Sequence, residues 1–364
     1  MSYADATSLQ SVVRQFQRAE RDFTVRPFGT GHIHDTFLVR SDNNSQYLLQ
    51  RINHAVYQDV AGLMQNIQRV TSHLRQKLDT STSDSLTTFC VIPTHDQHWF
   101  YQDEAGHHWR MFTFVDRTVA YEVAQSPELI RKAGQAFGQF IALLRDLPGE
   151  PLITTIPAFH NMGSRLRNFE RTVSDDTVGR LAQVSPEVAF VRQRADEMRA
   201  LHQRVADGKI PQRTTHNDTK LSNVLFDRSG EARCVVDLDT VMPGTVLYDF
   251  GDAIRSMAST TVEDEGDLDQ VRFHFPFYEA FAEGFLSDTR SFLTEAEIDQ
   301  LPFSACYMTF IMGVRFLTDY LAGDVYYKIR DPAQNLRRAR NQFQLIRRME
   351  DQYDEMIRVV QRLT

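Results

Sequence analysis

Near residue 115 the hydrophobic period of this chain changes, and few architectures accommodate such a change. Upstream, apolar residues fall in short β-branched and aromatic runs separated by turn residues. Phe23–Phe28, Thr36–Arg40 and Gln46–Ile52 are joined through Gly29-Thr30-Gly31 and Asp42-Asn43-Asn44, which predicts an antiparallel meander. Val60, Leu63, Met64, Ile67, Val70 and Leu74 then recur at spacings of three and four, so one amphipathic helix follows. Phe89–Ile92, His98–Tyr101 and Trp109–Val115 read as three more strands. Beyond Asp116–Arg117 helical spacing takes over. Ser126-Pro127 opens a helix whose apolar face includes Leu129, Ile130, Ala133, Phe137, Phe140, Ile141 and Leu144. Only Val224–Phe226 and Cys234–Val236 interrupt the helical pattern. The expectation is an α+β chain in two lobes, β-rich over 1–115 and mainly α-helical over 116–364. The length of 364 residues agrees, since a domain averages roughly 150.

Composition narrows the function classes. Apolar residues at 42% and charged residues at 24% exclude a disordered or collagen-like chain. A net charge of −8 supplies no overall positive field for nucleic acid or an anionic membrane surface. Cys90, Cys234 and Cys306 are odd in number and far apart, which excludes a disulfide framework or a CxxC zinc site and favours a reducing compartment. The first residues are polar with helical periodicity, unlike a signal peptide. The most apolar stretch, Ala305–Val314, is too short to span a bilayer. A cytoplasmic protein acting on small molecules, with neither nucleic acid nor membrane as partner, is expected; its oligomeric state stays open.

Chemistry concentrates in Thr215-His216-Asn217-Asp218-Thr219-Lys220-Leu221-Ser222-Asn223, followed by Cys234-Val235-Val236-Asp237-Leu238-Asp239. Asp218 and Asn223 are five apart in a loop that leads into a short strand. A turn around Arg228-Ser229-Gly230 and a second strand would return Asp237 towards Asn223. One free carboxylate, one amide oxygen and one further carboxylate suit an oxygen-ligated Mg²⁺ with nucleotide phosphates. Phosphoryl transfer asks little covalent work of a protein. It needs a carboxylate to orient the attacking hydroxyl and positive charge to spread that developing on the γ-phosphoryl.

The segment resembles the H-x-D-x4-N catalytic loop of eukaryotic-like kinases, with a later Asp in the D-F-G position. Its VVDLD form is similar to the aminoglycoside phosphotransferase and choline kinase branch. The longer blocks HNDTKLSNVLFD and VVDLDTVMPGTVLYDFGD, with GTGHIHDTFLV, YLLQRIN and RFLTDYLAGDVYY, resemble the N-acetylhexosamine 1-kinases from about Phe28 to Asn341. That resemblance implies a protein-kinase-like fold, ATP and Mg²⁺ as cofactors, and the anomeric C1 hydroxyl of GlcNAc or GalNAc as acceptor. It implies Asp218 as catalytic base and Asn223 and Asp237 as metal ligands, with Asp239 a second candidate. His216 is expected to brace the loop, and Asp249 and Asp252 to cap a helix. Thr30, Gly31, Arg51 and Phe114 are the implied nucleotide contacts. His32, Arg315 and Tyr326 are the implied sugar contacts.

Two features depart from the wider kinase pattern. The third strand offers Arg51 in place of Lys, and the helix over 59–77 contains no Glu to pair with it; Gln65 is the nearest polar substitute. In the C-terminal block, Arg315 and Asp319 stand at i,i+4, so a helical ion pair competes with a sugar pocket. Arg337, Arg338, Arg340, Arg347 and Arg348 read as a solvated helical face. The same core could serve an amino alcohol, homoserine or an aminoglycoside, but Glu263–Asp267 is the only acidic run and reads as a solvated loop. A catalytically silent nucleotide-binding scaffold is the alternative of another class, disfavoured by the intact Asp218, Asn223 and Asp237 set.

Overall fold

The computed structural model describes residues 6–17, 22–29, 33–78 and 86–364. The chain runs α1 (Ala6–Val13), β1 (Phe23–Pro27), β2 (Asp35–Ser41), β3 (Gln46–Ile52), α2 (Val60–Leu78), β4 (Val91–Ile92), β5 (Tyr101–Gln102) and β6 (His108–Thr113). Then come α3 (Pro127–Leu144), α4 (Met162–Asp175), α5 (Ser185–Ala206), β7 (Arg213–Thr215), β8 (Val224–Phe226), β9 (Ala232–Val235) and β10 (Met242–Gly244). The remainder is helical: α6 (Val246–Met257), α7 (Phe275–Thr289), α8 (Glu295–Ile298), α9 (Leu301–Leu321), α10 (Gln334–Glu350) and α11 (Tyr353–Leu363). By contacts the residues fall into two compact units. One holds 1–120, 143–157 and 224–243, and the other 121–142, 158–223 and 244–364.

The first unit is built on an antiparallel sheet in the order β1-β2-β3-β6-β4, with β5 also paired to β6. Phe37, Val39, Leu49, Trp109 and Met111 share one buried cluster with Leu9, Val12, Val13 and Phe16 of the N-terminal segment. Each of the six apolar positions read in α2 is buried. Asp59 caps that helix, its Oδ1 accepting from the Gly62 N–H at 2.8 Å. The segments 143–157 and 224–243 join this unit through Asn66, which is 1% exposed. Asn66 Nδ2 donates to the carbonyls of Ile153 and Val241, and its Oδ1 accepts from the Ile153 N–H. Every polar atom of that buried amide is used, as burial requires. β8 and β9 form the expected hairpin, with Val224 opposite Val235.

The second unit is organised on α9, which packs against α10, α6 and α4. α9 is long and apolar enough to cross a membrane, yet 83% of its apolar window is buried. It is therefore apolar on nearly all sides because helices surround it. α6 approaches it closely at Gly251, where a Cβ would meet the Ser304 carbonyl at 2.2 Å. Ser126 caps α3 as the sequence suggested, its Oγ accepting from the Leu129 N–H.

Candidate active site

In the second unit the loop after β7 carries Asp218. Its course is fixed from below by Asp249, in the first turn of α6 and 0% exposed. The Asp249 carboxylate accepts the N–H of His216 at 2.8 Å and of Asn217 at 2.6 Å. Thr219 Oγ1 donates to the Asp249 carbonyl. Asp249 is therefore a loop anchor and not the helix cap expected; Thr245 caps α6. Asp252 does not cap either, but pairs with Arg255 at 2.8 Å. Burial pushes the Asp249 carboxyl up to about 6 against the pull of His216 and the two N–H groups. Asn217 takes a left-handed φ of 64°, and the His160 ring donates from Nε2 to its carbonyl at 3.0 Å. His216 is fully buried, with Phe137 and Phe140 against its ring and its Nδ1 accepting from the Asp218 N–H.

Asp218 and Asn223 are joined directly. Asn223 Nδ2 donates to the Asp218 carbonyl at 2.8 Å and to its carboxylate at 3.3 Å. That use of the amide nitrogen leaves Oδ1 without a hydrogen bond, the atom a hard cation would take. Lys220 Nζ pairs with the Asp218 carboxylate at 2.8 Å. Burial works to raise the Asp218 pKa, but Lys220, His216 and Arg255 outweigh it and hold the carboxyl below its ordinary value. An ionised, hydrogen-bonded carboxylate on a braced loop can accept a proton from a hydroxyl.

The C-terminal block lies in the same unit. Arg315 and Asp319 do not form the i,i+4 pair. Asp319 instead accepts hydrogen bonds from the N–H groups of Tyr326 and Tyr327 at 2.8 and 3.0 Å and from Asn335 Nδ2 at 2.9 Å, so it shapes the turn after α9. Arg315 is left among rings, its guanidinium 5.6 Å from Phe159, 5.8 Å from Tyr326 and 5.6 Å from Tyr327. Tyr326 is 65% exposed. The buried His160 imidazole holds the Asn217 carbonyl beside Asp218, and its ring lies 4.3 Å from that of Phe159, which the Arg315 guanidinium faces. The basic residues of α10 are largely ion-paired, Arg337 to Asp331 and Arg340 to Glu187. Glu263, in the acidic run, pairs with Arg255.

In the first unit, Asp237 is exposed with a φ of 61° and makes no capping bond to the turn that follows it. Asp239 is 2% exposed, and its carboxylate is committed. Arg110 grips it with Nη1 at 2.7 Å and Nη2 at 2.9 Å, and His34 Nε2 donates to it at 2.6 Å. The His34 tautomer follows from its Nδ1, which accepts the Asn53 N–H. Arg110 Nε is satisfied by Gln50, and Gln50 by Thr36. Arg51 has its partner too. It is Asp35, directly opposite on β2, and not Gln65. Phe114 packs edge-on against Phe28 with ring centroids 5.5 Å apart. Thr30, Gly31 and His32 lie outside the described residues.

These features define the phosphotransferase class, and comparison with known proteins agrees. A family model described as the phosphotransferase enzyme family matches residues 24–285. The chain belongs to that family. Among solved structures, a microcompartment-associated aminopropanol kinase matches with TM-score 0.63 at 17% identity, over 97% of this chain and 99% of that one. An amicoumacin kinase, in complex with AMP-PNP and Ca²⁺, gives 0.59 at 14% identity over 94% and 93%. A choline kinase from Cryptosporidium parvum gives 0.57 at 11% identity over 97% and 98%. The protein has the protein-kinase-like α+β fold and is a small-molecule kinase that phosphorylates a hydroxyl acceptor.

Of the residues singled out in the sequence, the second unit brings Asp218 and Asn223 into direct contact and sets Arg315 beside Tyr326. Arg110 as the partner of Asp239 and Asp249 as the anchor of the Asp218 loop were not foreseen. The one sequence signal for Asp249 was its place at the start of α6.

Proposed function

We propose that the protein is an ATP- and Mg²⁺-dependent sugar kinase that phosphorylates the C1 hydroxyl of an N-acetylhexosamine, GlcNAc or GalNAc. The bonded pair of Asp218 and Asn223 carries the reading: an ionised base next to an amide oxygen free to bind a cation. Asp218 orients the C1 hydroxyl and accepts its proton as the oxygen bonds to the γ-phosphorus and the bond from that phosphorus to the β–γ bridging oxygen breaks, releasing ADP. Asn223 and Asp237 hold the metal, and Asp239, whose oxygens serve Arg110 and His34, holds the segment in place. When bound, Mg²⁺ neutralises charge on the nucleotide phosphates. Thr30, Gly31, Arg51 and Phe114 contact the nucleotide, and His32, Arg315 and Tyr326 the sugar.

The hexosamine acceptor is supported by the flanking sequence blocks and by the surroundings of Arg315. Cationic acceptors such as aminopropanol or choline call for carboxylates or aromatic faces, and here the ring faces are already occupied by a guanidinium. Phosphorus NMR of the products formed from a panel of sugars and amino alcohols with Mg-ATP tests the reading. An anomeric phosphate from GlcNAc or GalNAc is the expected result. Turnover confined to an amino alcohol would replace the sugar by that class.

A further inference from the structure

Two half-buried arginines of the second unit, Arg165 and Arg315, lack an ion-pair partner among the described residues. Arg165, on α4, and Arg315, on α9, both reach Phe159 in the second unit, the first by a hydrogen bond to its carbonyl and the second over its ring. Burial and the neighbouring positive charge of Arg315 both press the Arg165 pKa down. Arg165 donates from Nη2 to the Phe159 carbonyl at 2.9 Å, while its Nε is buried without a partner. Arg315 has only the Met312 sulfur, at 3.4 Å, and the faces of Phe159, Tyr326 and Tyr327. The Tyr327 hydroxyl beside them is also buried without a hydrogen-bond partner. Among the described residues no carboxylate forms an ion pair with either arginine. Two guanidiniums that repel one another, with unused donors and a phenol, form a cradle lacking its anion.

We propose that Arg165 and Arg315, with Tyr327, form an oxyanion subsite on the acceptor side, so that sugars bearing a carboxylate are preferred over their neutral counterparts. The inference rests on reading Asp218 as the base and Arg315 as an acceptor contact. His160 ties the two together, since its Nε2 holds the Asn217 carbonyl next to Asp218 and its ring lies 4.3 Å from that of Phe159, over which Arg315 sits. A carboxylate suits the fork geometry of a guanidinium, and with two cations it restores the charge balance that the protein itself does not supply.

The test compares GlcNAc with the same sugar oxidised to the carboxylate at C6. KM for each is measured with wild type, Arg165→Gln and Arg165→Lys at two salt concentrations. The carboxylate sugar is expected to show a KM about tenfold lower, with an advantage that shrinks as salt rises. Arg165→Gln should bring the ratio of the two KM values near one, and Arg165→Lys should keep part of it. Should Arg165→Gln not fold, Arg315→Gln carries the same comparison from a half-buried position. Equal KM values in wild type, or an undiminished ratio in a folded Gln variant, would overturn the subsite while leaving the kinase reading intact. Failure to phosphorylate either sugar would instead sink the acceptor assignment. Sulfate, titrated calorimetrically into protein loaded with AMP-PNP and Mg²⁺, then decides on the subsite. Binding that is lost in both Arg165→Gln and Arg315→Gln supports it, and absent or unaltered binding removes it.

Discussion

Two clusters of charge, one in each compact unit, are built to opposite rules. Around Asp239 every charged group is matched. Arg110 gives both Nη atoms to the carboxylate and Nε to Gln50, while His34 completes the second oxygen. Asp239 and Arg110 are each 2% exposed. Around Arg315 the pairing is incomplete: among the described residues neither Arg165 nor Arg315 forms an ion pair, and the Tyr327 phenol is buried without a hydrogen-bond partner. A buried ion pair survives desolvation only when its hydrogen bonds are complete, so the first cluster is architecture. An unmatched cluster costs the fold stability, and a ligand is what would offset that cost. The Asp218 loop stands between the two rules, since its carboxylate is partnered by Lys220 and Asn223 yet keeps 20% of its side-chain surface exposed.

The largest expected effect falls on that intermediate case. Asp218→Asn should lower kcat by about 10²–10⁴-fold while nucleotide affinity measured by calorimetry changes little. Activity within about threefold of wild type would remove Asp218 from the mechanism and make its loop purely structural. Next comes the matched cluster. Asp239→Ala leaves Arg110 buried and unpaired, so it should cost about 3–5 kcal/mol in denaturant unfolding. Replacing Arg110 by Met in the same chain should cost less than the sum of the two single changes. Asp237→Ala should instead leave stability nearly unchanged and weaken Mg-ATP binding. The reverse ranking of Asp237 and Asp239 would break the comparison and return Asp239 to the metal.

What the sequence made legible divides along similar lines. Local spacing was sufficient for α2, whose Val60, Leu63, Met64, Ile67, Val70 and Leu74 are all buried. It was sufficient for the contact between Asp218 and Asn223, because five residues of loop bring them together. Partners chosen by tertiary register were not legible. Arg110 and Asp239 are 129 positions apart, and Asp249 reaches back 33 positions to the His216 N–H. One missed pair did leave a trace. Asp35 and Arg51 each stand eight residues from Asn43, so a hairpin turning there sets them opposite one another. The helical period could not expose the segments 143–157 and 224–243 as part of the first unit, since Asn66 holds them by hydrogen bonds to backbone carbonyls.

The unmatched cluster gives a smaller effect of another kind. Arg315→Ala removes the proposed acceptor contact without leaving an unpaired acid behind, since Arg315 forms no ion pair among the described residues. It should weaken sugar recognition by about 1–3 kcal/mol, leave KM for ATP within about twofold and cost the fold little. Steady-state kinetics with each substrate varied in turn, beside a denaturation curve, separates these outcomes. A large loss of stability with unchanged sugar KM would place Arg315 with the architecture and dissolve the contrast between the units.

The smallest effect sharpens the comparison through pH. His160 is buried neutral, its pKa lowered by burial from 6.5 to about 4. The unfolded chain therefore takes up this proton first as pH falls, and stability drops between 6.5 and about 4 by up to ~1.4 kcal/mol per pH unit. Asp249 acts with the opposite sign. Its pKa, raised by burial from 3.8 to about 6, means that the folded state binds the proton first, so acidification below about 6 adds stability. For these two groups taken together only the interval from 6.5 to about 6 is unopposed, so their joint contribution is a loss of roughly 0.7 kcal/mol there and little more down to about pH 4. His108 and His202, also lowered by burial, add losses shared by every variant. Denaturant unfolding across that range in Asp249→Asn should show the loss continuing to about pH 4. In His160→Gln acidification below about 6 should instead cost less stability than in wild type, because the Asp249 contribution is no longer offset by His160. Parallel curves for wild type and both variants would mean that neither group titrates between its folded and unfolded states, and the loop that carries Asp218 would owe its rigidity to packing alone.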